Sequence, residues 1–144
     1  MGAVAYDTDF CSWSLEQADL LQKKKFDQLD FDHLVEELQS MSAREHRELV
    51  SRLRVLMMHL LKWQYQPALR GNSWRNTIVT QAEDASDVLE QSPSLKFYLP
   101  EMLEKAYPRA RRLASQETGL NINTFPKECP YDVEKALSGT FFPD

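Results

Sequence analysis

The chain is poor in the features that mark β-rich, secreted and membrane proteins. Only 4 of its 144 residues are glycine, whereas folds built from many short strands are rich in glycine turns. The longest strongly apolar run, Val55 to Leu61, includes His59 and lies between Arg54 and Lys62. That run is far shorter than the roughly 20 apolar residues that cross a bilayer. The N-terminal residues also lack the basic and apolar regions of a signal peptide. The sequence therefore predicts a cytoplasmic protein with no membrane segment.

Cysteine is equally scarce. Cys11 and Cys129 are the only two cysteines, and their separation fits neither a Cys-x-x-Cys pair nor a zinc-binding pattern. In a reducing compartment such residues remain free thiols. We expect two free thiols, and a disulfide joining the two ends of the chain is the alternative.

What the chain does contain is apolar residues at helical spacing over most of its length. The central stripe runs through Leu49, Leu53, Leu56, Leu60 and Trp63, with further apolar residues on a second face, as in a helix surrounded by others. Prolines recur in the tail after position 120. We therefore predict an all-α fold, in which residues 1–144 form one compact bundle of about five helices around this central helix, with an irregular, proline-containing C-terminal tail.

The start of the central helix is marked by two signals. Asp30 is placed to cap a helix that begins with Phe31. Ser42 and Glu45 then have the spacing of a capping box, in which each side chain satisfies an exposed amide at a helix start. We expect the helix to break near Met41 and Ser42.

Charge is unevenly distributed along the chain. The net charge is −5, yet residues 49–82 contain no acidic residue and five basic ones, among them Arg52, Lys62, Arg70 and Arg75. Charge alternation between neighbouring helices usually reflects solvated or paired side chains. The alternative is an unpaired basic patch that binds an anion. Aromatic residues lie in the same stretch, as in proteins that bind single-stranded nucleic acid, although the acidic net charge argues against that use.

No recognised catalytic motif is present, including the P-loop, the Gly-x-Ser-x-Gly elbow and the His-Glu-x-x-His zinc motif. His33 precedes Glu36 and Glu37 on a predicted helix, but no Glu-x-x-His element supports a di-iron site. We expect no cofactor and no metal. His59 is either a core histidine with a satisfied hydrogen bond or a general base or ligand contact.

The chain resembles a bacterial, largely cyanobacterial, family catalogued as domain of unknown function 29. The resemblance is carried by segments spread in order over nearly the whole chain: Tyr-Asp-Thr-Asp-Phe at 6–10, His-Leu-Leu-Lys-Trp-Gln-Tyr-Gln-Pro at 59–67, Ser-Trp-Arg-Asn-Thr-Ile at 73–78, Glu-Thr-Gly-Leu at 117–120 and Phe-Pro-Lys-Glu-Cys-Pro-Tyr at 125–131. It implies a helical bacterial protein and supplies no reaction. It singles out six residues as candidates for packing or for ligand binding: His59, Lys62, Trp63, Gln64, Trp74 and Arg75.

Three functions remain open at this point. The first is a non-enzymatic interaction or regulatory module that docks on another protein or on itself. The second is a ligand-binding protein or enzyme with a pocket near the end of the central helix, built from the six candidates. The third is nucleic-acid binding through residues 49–82.

Overall fold

A computed structural model describes residues 4–144, and every regular element in that range is helical. Short 3-10 turns connect five α-helices, so the predicted all-α fold is confirmed. None of these helices combines the length and the apolar character that a bilayer span requires. The helices are α1 Phe10–Gln22, α2 Phe31–Tyr65, α3 Asn72–Gln91, α4 Leu99–Thr118 and α5 Val133–Ala136.

The chain divides into two compact units, unit 1 up to Ala43 and unit 2 from Arg44 to Asp144. Helix α2 contributes residues 31–43 to the first and residues 44–65 to the second. The expectation that residues 1–144 form a single domain stays a prediction.

The predicted break in α2 is wrong, because the helix is continuous for 35 residues. Its start is as expected, since the Asp30 side chain accepts a hydrogen bond from the His33 amide. The Ser42–Glu45 pattern does not start a new helix. Glu45 instead accepts a hydrogen bond from the Ser92 hydroxyl, and nothing between Phe31 and Tyr65 is a glycine or proline that would interrupt the helix. In a continuous helix the amides of residues 42–45 bond to carbonyls four residues earlier, so no cap is needed there.

Unit 1 has a small core. Only Trp13, Gln17 and Leu20 are buried among its described residues. The indole N–H of Trp13 donates to the Asp30 carboxylate at 3.0 Å, and the Asp30 backbone amide donates to the side-chain carbonyl of Gln17 at 2.8 Å. Polar contacts therefore supply much of what holds α1 against the first part of α2.

Unit 2 holds the main hydrophobic core. Leu49, Leu53, Leu56 and Leu60 of the predicted central stripe are completely buried, packed against apolar residues of α3 and α4. Their burial confirms the central apolar helix.

The C-terminal tail is irregular apart from α5 and a 3-10 turn at Ile122–Thr124, as predicted, but it is firmly packed against the helices of unit 2. Phe125 is 1% exposed, and its ring meets the ring of Tyr65 edge-on with centroids 5.2 Å apart. The Tyr107 hydroxyl donates to the Pro126 carbonyl at 2.6 Å, and the Ser86 hydroxyl donates to the Leu137 carbonyl at 3.0 Å. These contacts give the distinctive segment at 125–131 a packing role.

Candidate functional site

The end of α2 carries a cluster of cations on aromatic rings. Trp63 is buried, and the guanidinium carbons of Arg70 and Arg75 lie 5.1 Å and 5.2 Å from its ring centroid. The Phe142 ring packs 5.0 Å from Trp63 and lies 4.6 Å from the Arg75 guanidinium carbon. Such cation–π contacts are worth about 0.5–2 kcal/mol each, depending on desolvation. Trp63 is therefore a core anchor with two arginines stacked at its margin.

Arg70 also closes the end of the helix. The last carbonyls of an α-helix lack intrahelical partners, and the Arg70 Nε donates to the Trp63 carbonyl at 2.7 Å. A second nitrogen of the same guanidinium donates to the Pro143 carbonyl at 3.3 Å. Arg70 thus links the helix end to the last residues of the chain.

Lys62 is unusual because it is a charged residue that is only 7% exposed. Its ammonium nitrogen lies 3.7 Å from a Glu117 carboxylate oxygen and 4.9 Å from the centroid of the Trp74 ring. A buried charge needs such partners, because removal from water is costly. The motif residues Lys62, Trp74 and Glu117 are therefore neighbours in space.

His59 is half-buried on the same helix. Its Nδ1 lies 2.9 Å from the Val55 carbonyl and donates to it. Burial lowers the pKa of His59 below its usual value, and the nearby Lys62 adds to this effect, while the Val55 hydrogen bond opposes it. Burial therefore favours the neutral ring, in which Nδ1 is the donor and Nε2 is left as an acceptor.

Gln64 lies apart from these contacts. Its side-chain carbonyl accepts a 2.6 Å hydrogen bond from the hydroxyl of Tyr131, whose pKa is raised by burial. The structure thus pairs Lys62 with Trp74 and Trp63 with Arg75. A ligand pocket formed by the six candidates stays a prediction.

The basic segment 49–82 is partly neutralised. Arg52 lies 3.5 Å from Glu48 and 3.4 Å from Asp84, and Lys62 has Glu117 as its partner. These contacts favour the paired-charge interpretation of the segment for two of its five cations. Nucleic-acid binding by this segment stays a prediction.

Unit 1 contains a compact cluster of polar and aromatic groups around Asp30. The His33 Nδ1 lies 2.7 Å from the Asp30 carboxylate. Hydrogen bonding between the two raises the pKa of His33 and lowers the pKa of Asp30. The Tyr6 ring stacks on His33 at 4.1 Å, and a hydrogen bond to Glu37 raises the pKa of Tyr6 to about 12.

His33 therefore has a structural partner in Asp30. Within residues 4–144, no group of three or more metal-binding side chains is arranged to hold an ion. Both cysteines are free thiols, Cys11 at the surface and Cys129 half-buried.

The feature that sequence reasoning missed is the exposed apolar surface of unit 1. Of the 12 large apolar side chains exposed in the described chain, eight belong to this unit. Phe31, Val35 and Leu38 are 59%, 52% and 65% exposed, at positions i, i+4 and i+7 of α2. This spacing puts them on one helical face, which we call the α2 stripe. The remaining five are Phe10, Leu15, Leu21, Phe26 and Met41.

The described residues thus form an all-α protein with a cation–aromatic cluster in unit 2 and an exposed apolar helix face in unit 1. Residues 5–142 match the family described as domain of unknown function DUF29. The chain belongs to that family. No curated protein and no solved structure matches it.

Proposed function

We propose that the chain is a non-enzymatic interaction module of the bacterial cytoplasm, and that its α2 stripe docks a basic amphipathic helix of another protein. The observation that carries this proposal is the exposure of Phe31, Val35 and Leu38 on one face of α2. Contiguous exposed apolar side chains on a small protein are typical of interaction surfaces. Anchors at i, i+4 and i+7 are the pattern by which amphipathic helices are recognised.

Charge supports a basic partner. Residues 4–43 carry nine acidic and three basic residues, and the three basic ones are consecutive, Lys23 to Lys25. Asp32 and Glu36 are exposed on α2 beside the stripe. A second copy of the chain would bring the same negative charge against this surface, whereas Lys and Arg at the margins of a partner helix would be attracted.

The contribution of the α2 stripe to binding affinity can be estimated from the three side chains that docking would bury. Full burial of a Phe, Val or Leu side chain is worth about 1.5–3 kcal/mol. Because each is already about half covered, docking gains about 1 kcal/mol from each, or about 3 kcal/mol in total. That energy corresponds to about a hundredfold in affinity.

The test uses a designed amphipathic helical peptide with a leucine stripe and lysine margins, and a second peptide of the same stripe with glutamate margins. Fluorescence anisotropy should detect binding of the full chain to the lysine peptide and not to the glutamate peptide. The variant Phe31→Gln, Val35→Gln, Leu38→Gln should bind about a hundredfold more weakly. Glutamine retains good helix propensity, so the helix should persist.

The matched control removes exposed apolar side chains from unit 2. Leu69→Gln with Phe97→Gln alters residues that are 61% and 83% exposed, and it should leave peptide binding unchanged. Equal binding of both peptides, an equal loss in the control, or a dimer that dissociates in the stripe variant would each contradict the proposal.

A further inference from the structure

A second surface feature lies wholly in unit 2 and is independent of the α2 stripe. A groove of about 270 Å³ is lined by Arg54 and Val50 of α2 and by Lys105, Ala106 and Arg109 of α4. Its lining contains three cations and no acidic residue. The groove is therefore a local excess of positive charge in a chain whose net charge is −5.

The three cations lack carboxylate partners among the described residues. The basic residues that form ion pairs in residues 4–144 are Lys23, His33, Arg52 and Lys62, and none of them lines the groove. Arg54 makes only a 3.3 Å hydrogen bond to the Ser51 hydroxyl. The sequence neighbour Arg52, by contrast, has two acidic partners.

Helix geometry makes this arrangement unfavourable without a counterion. Lys105 and Arg109 are four residues apart on α4, and like charges at that spacing destabilise a helix. Arg54 adds a third positive charge from α2 to the same groove. An anion bound between the two helices would offset the repulsion.

The chemistry of the groove selects the anion. Guanidinium groups present forked donors that match phosphate oxygens, and lysine adds a compact charge. Three cations suit the double charge of a phosphate monoester better than the single charge of a carboxylate. Val50 of the lining is only half-buried, so the groove also offers some apolar surface to a small organic group. Its volume is just below the range typical of drug-sized ligands.

We infer that Arg54, Lys105 and Arg109 form a binding site for the phosphate group of a small phosphate monoester. The site shares no residue with the six candidates at the end of α2. Of the three cations, one, Arg54, comes from the segment 49–82, and α4 supplies the other two.

The test is an NMR titration of the full chain with inorganic phosphate, in parallel with sodium chloride at equal ionic strength. Phosphate should produce saturable shifts of the arginine Nε–H signals of Arg54 and Arg109, and chloride should not. Lys105→Met should weaken phosphate binding about tenfold, the usual effect of one charge-assisted hydrogen bond. Arg54→Met should have a similar effect. If that variant fails to fold, the result for Lys105→Met decides, because Lys105 is exposed and its replacement should leave the fold intact.

The control is Arg112→Met, which removes an exposed cation of the same helix that does not line the groove. It should leave phosphate binding intact. Equal responses to phosphate and chloride, or equal losses in the Arg112 and Lys105 variants, would overturn the site. Glycerol 3-phosphate and vesicles that contain phosphatidic acid, whose headgroup is also a phosphate monoester, then distinguish a soluble ligand from a lipid. Tighter binding of glycerol 3-phosphate than of inorganic phosphate supports the inference, and binding of vesicles without binding of either soluble phosphate overturns it.

Discussion

Removing the carboxylate of Glu117 should destabilise unit 2 more than removing the charge of Lys62 itself. The ammonium of Lys62 is buried and lies 3.7 Å from Glu117. At that distance, and with an effective dielectric constant of about 20, Coulomb's law gives an attraction between the two charges of about 4 kcal/mol. The Glu117 side chain is 48% exposed, so solvent screening reduces the net value to about 1–2 kcal/mol. Glu117→Gln should lower the free energy of unfolding by that amount.

Lys62→Met should cost less, within about 1 kcal/mol, because it removes the buried charge together with its partner interaction. It also loses the contact of the ammonium with the Trp74 ring, which limits any gain. In the double variant, Glu117→Gln should add almost nothing, since the charge that it stabilised has gone. The coupling energy of the cycle is therefore about 1–2 kcal/mol.

Urea denaturation followed by circular dichroism and tryptophan fluorescence measures all four proteins. A Lys62→Met variant that is less stable than Glu117→Gln, or two effects that simply add, would refute the reasoning.

Three further predictions concern pH and backbone conformation. The hydrogen bond to Asp30 raises the folded-state pKa of His33 above 6.5. The contribution of His33 to stability should therefore be complete below pH 6.5 and disappear as the pH rises through the folded-state pKa. Unfolding measured as a function of pH should lose this dependence in His33→Gln. The folded-state pKa of His59 is lowered, so its contribution should be present above pH 6.5 and decrease as pH falls, and His59→Gln should remove that decrease. Gly119 ends α4 at φ 75°, and a Cβ added there would meet no neighbouring atom. Gly119→Ala should therefore lower the stability measured by thermal unfolding by about 1–2 kcal/mol, through backbone strain alone. An equal loss in Gly71→Ala, where φ is −164°, would contradict this explanation.

Helical periodicity was sufficient to predict the fold class, because the spacing of apolar residues reports which face of a helix is buried. Leu49 to Leu60 follow that rule and are buried as expected. Glycine is a common signal for a helix end, and Gly119 ends α4 in the left-handed conformation that glycine adopts most readily.

The error at Ser42 has a physical cause. A capping box is a local pattern, whereas the partner that Glu45 takes is Ser92, 47 residues away in sequence. Local propensity cannot reveal such a competitor.

The candidate sites show the same limit. Phe31, Val35 and Leu38 have the spacing of a core stripe, but spacing does not say whether another element covers the stripe. The groove of Arg54, Lys105 and Arg109 was missed because two of its cations lie in a C-terminal stretch that is nearly balanced in charge. The available signal was that Lys105 and Arg109 lie four residues apart, on one helical face, with no acidic residue between them.

The central claim is that the α2 stripe contacts a basic amphipathic helix of another protein. The most direct measurement places a photo-crosslinking amino acid at Leu38 in the full chain, in cells of its own host, and identifies the crosslinked segment by mass spectrometry. The same residue at Phe97 is the control. We predict that Leu38, and not Phe97, crosslinks to a lysine- or arginine-rich amphipathic segment of a different protein. Crosslinks only to a second copy of this chain, or the same products from both positions, would contradict the account.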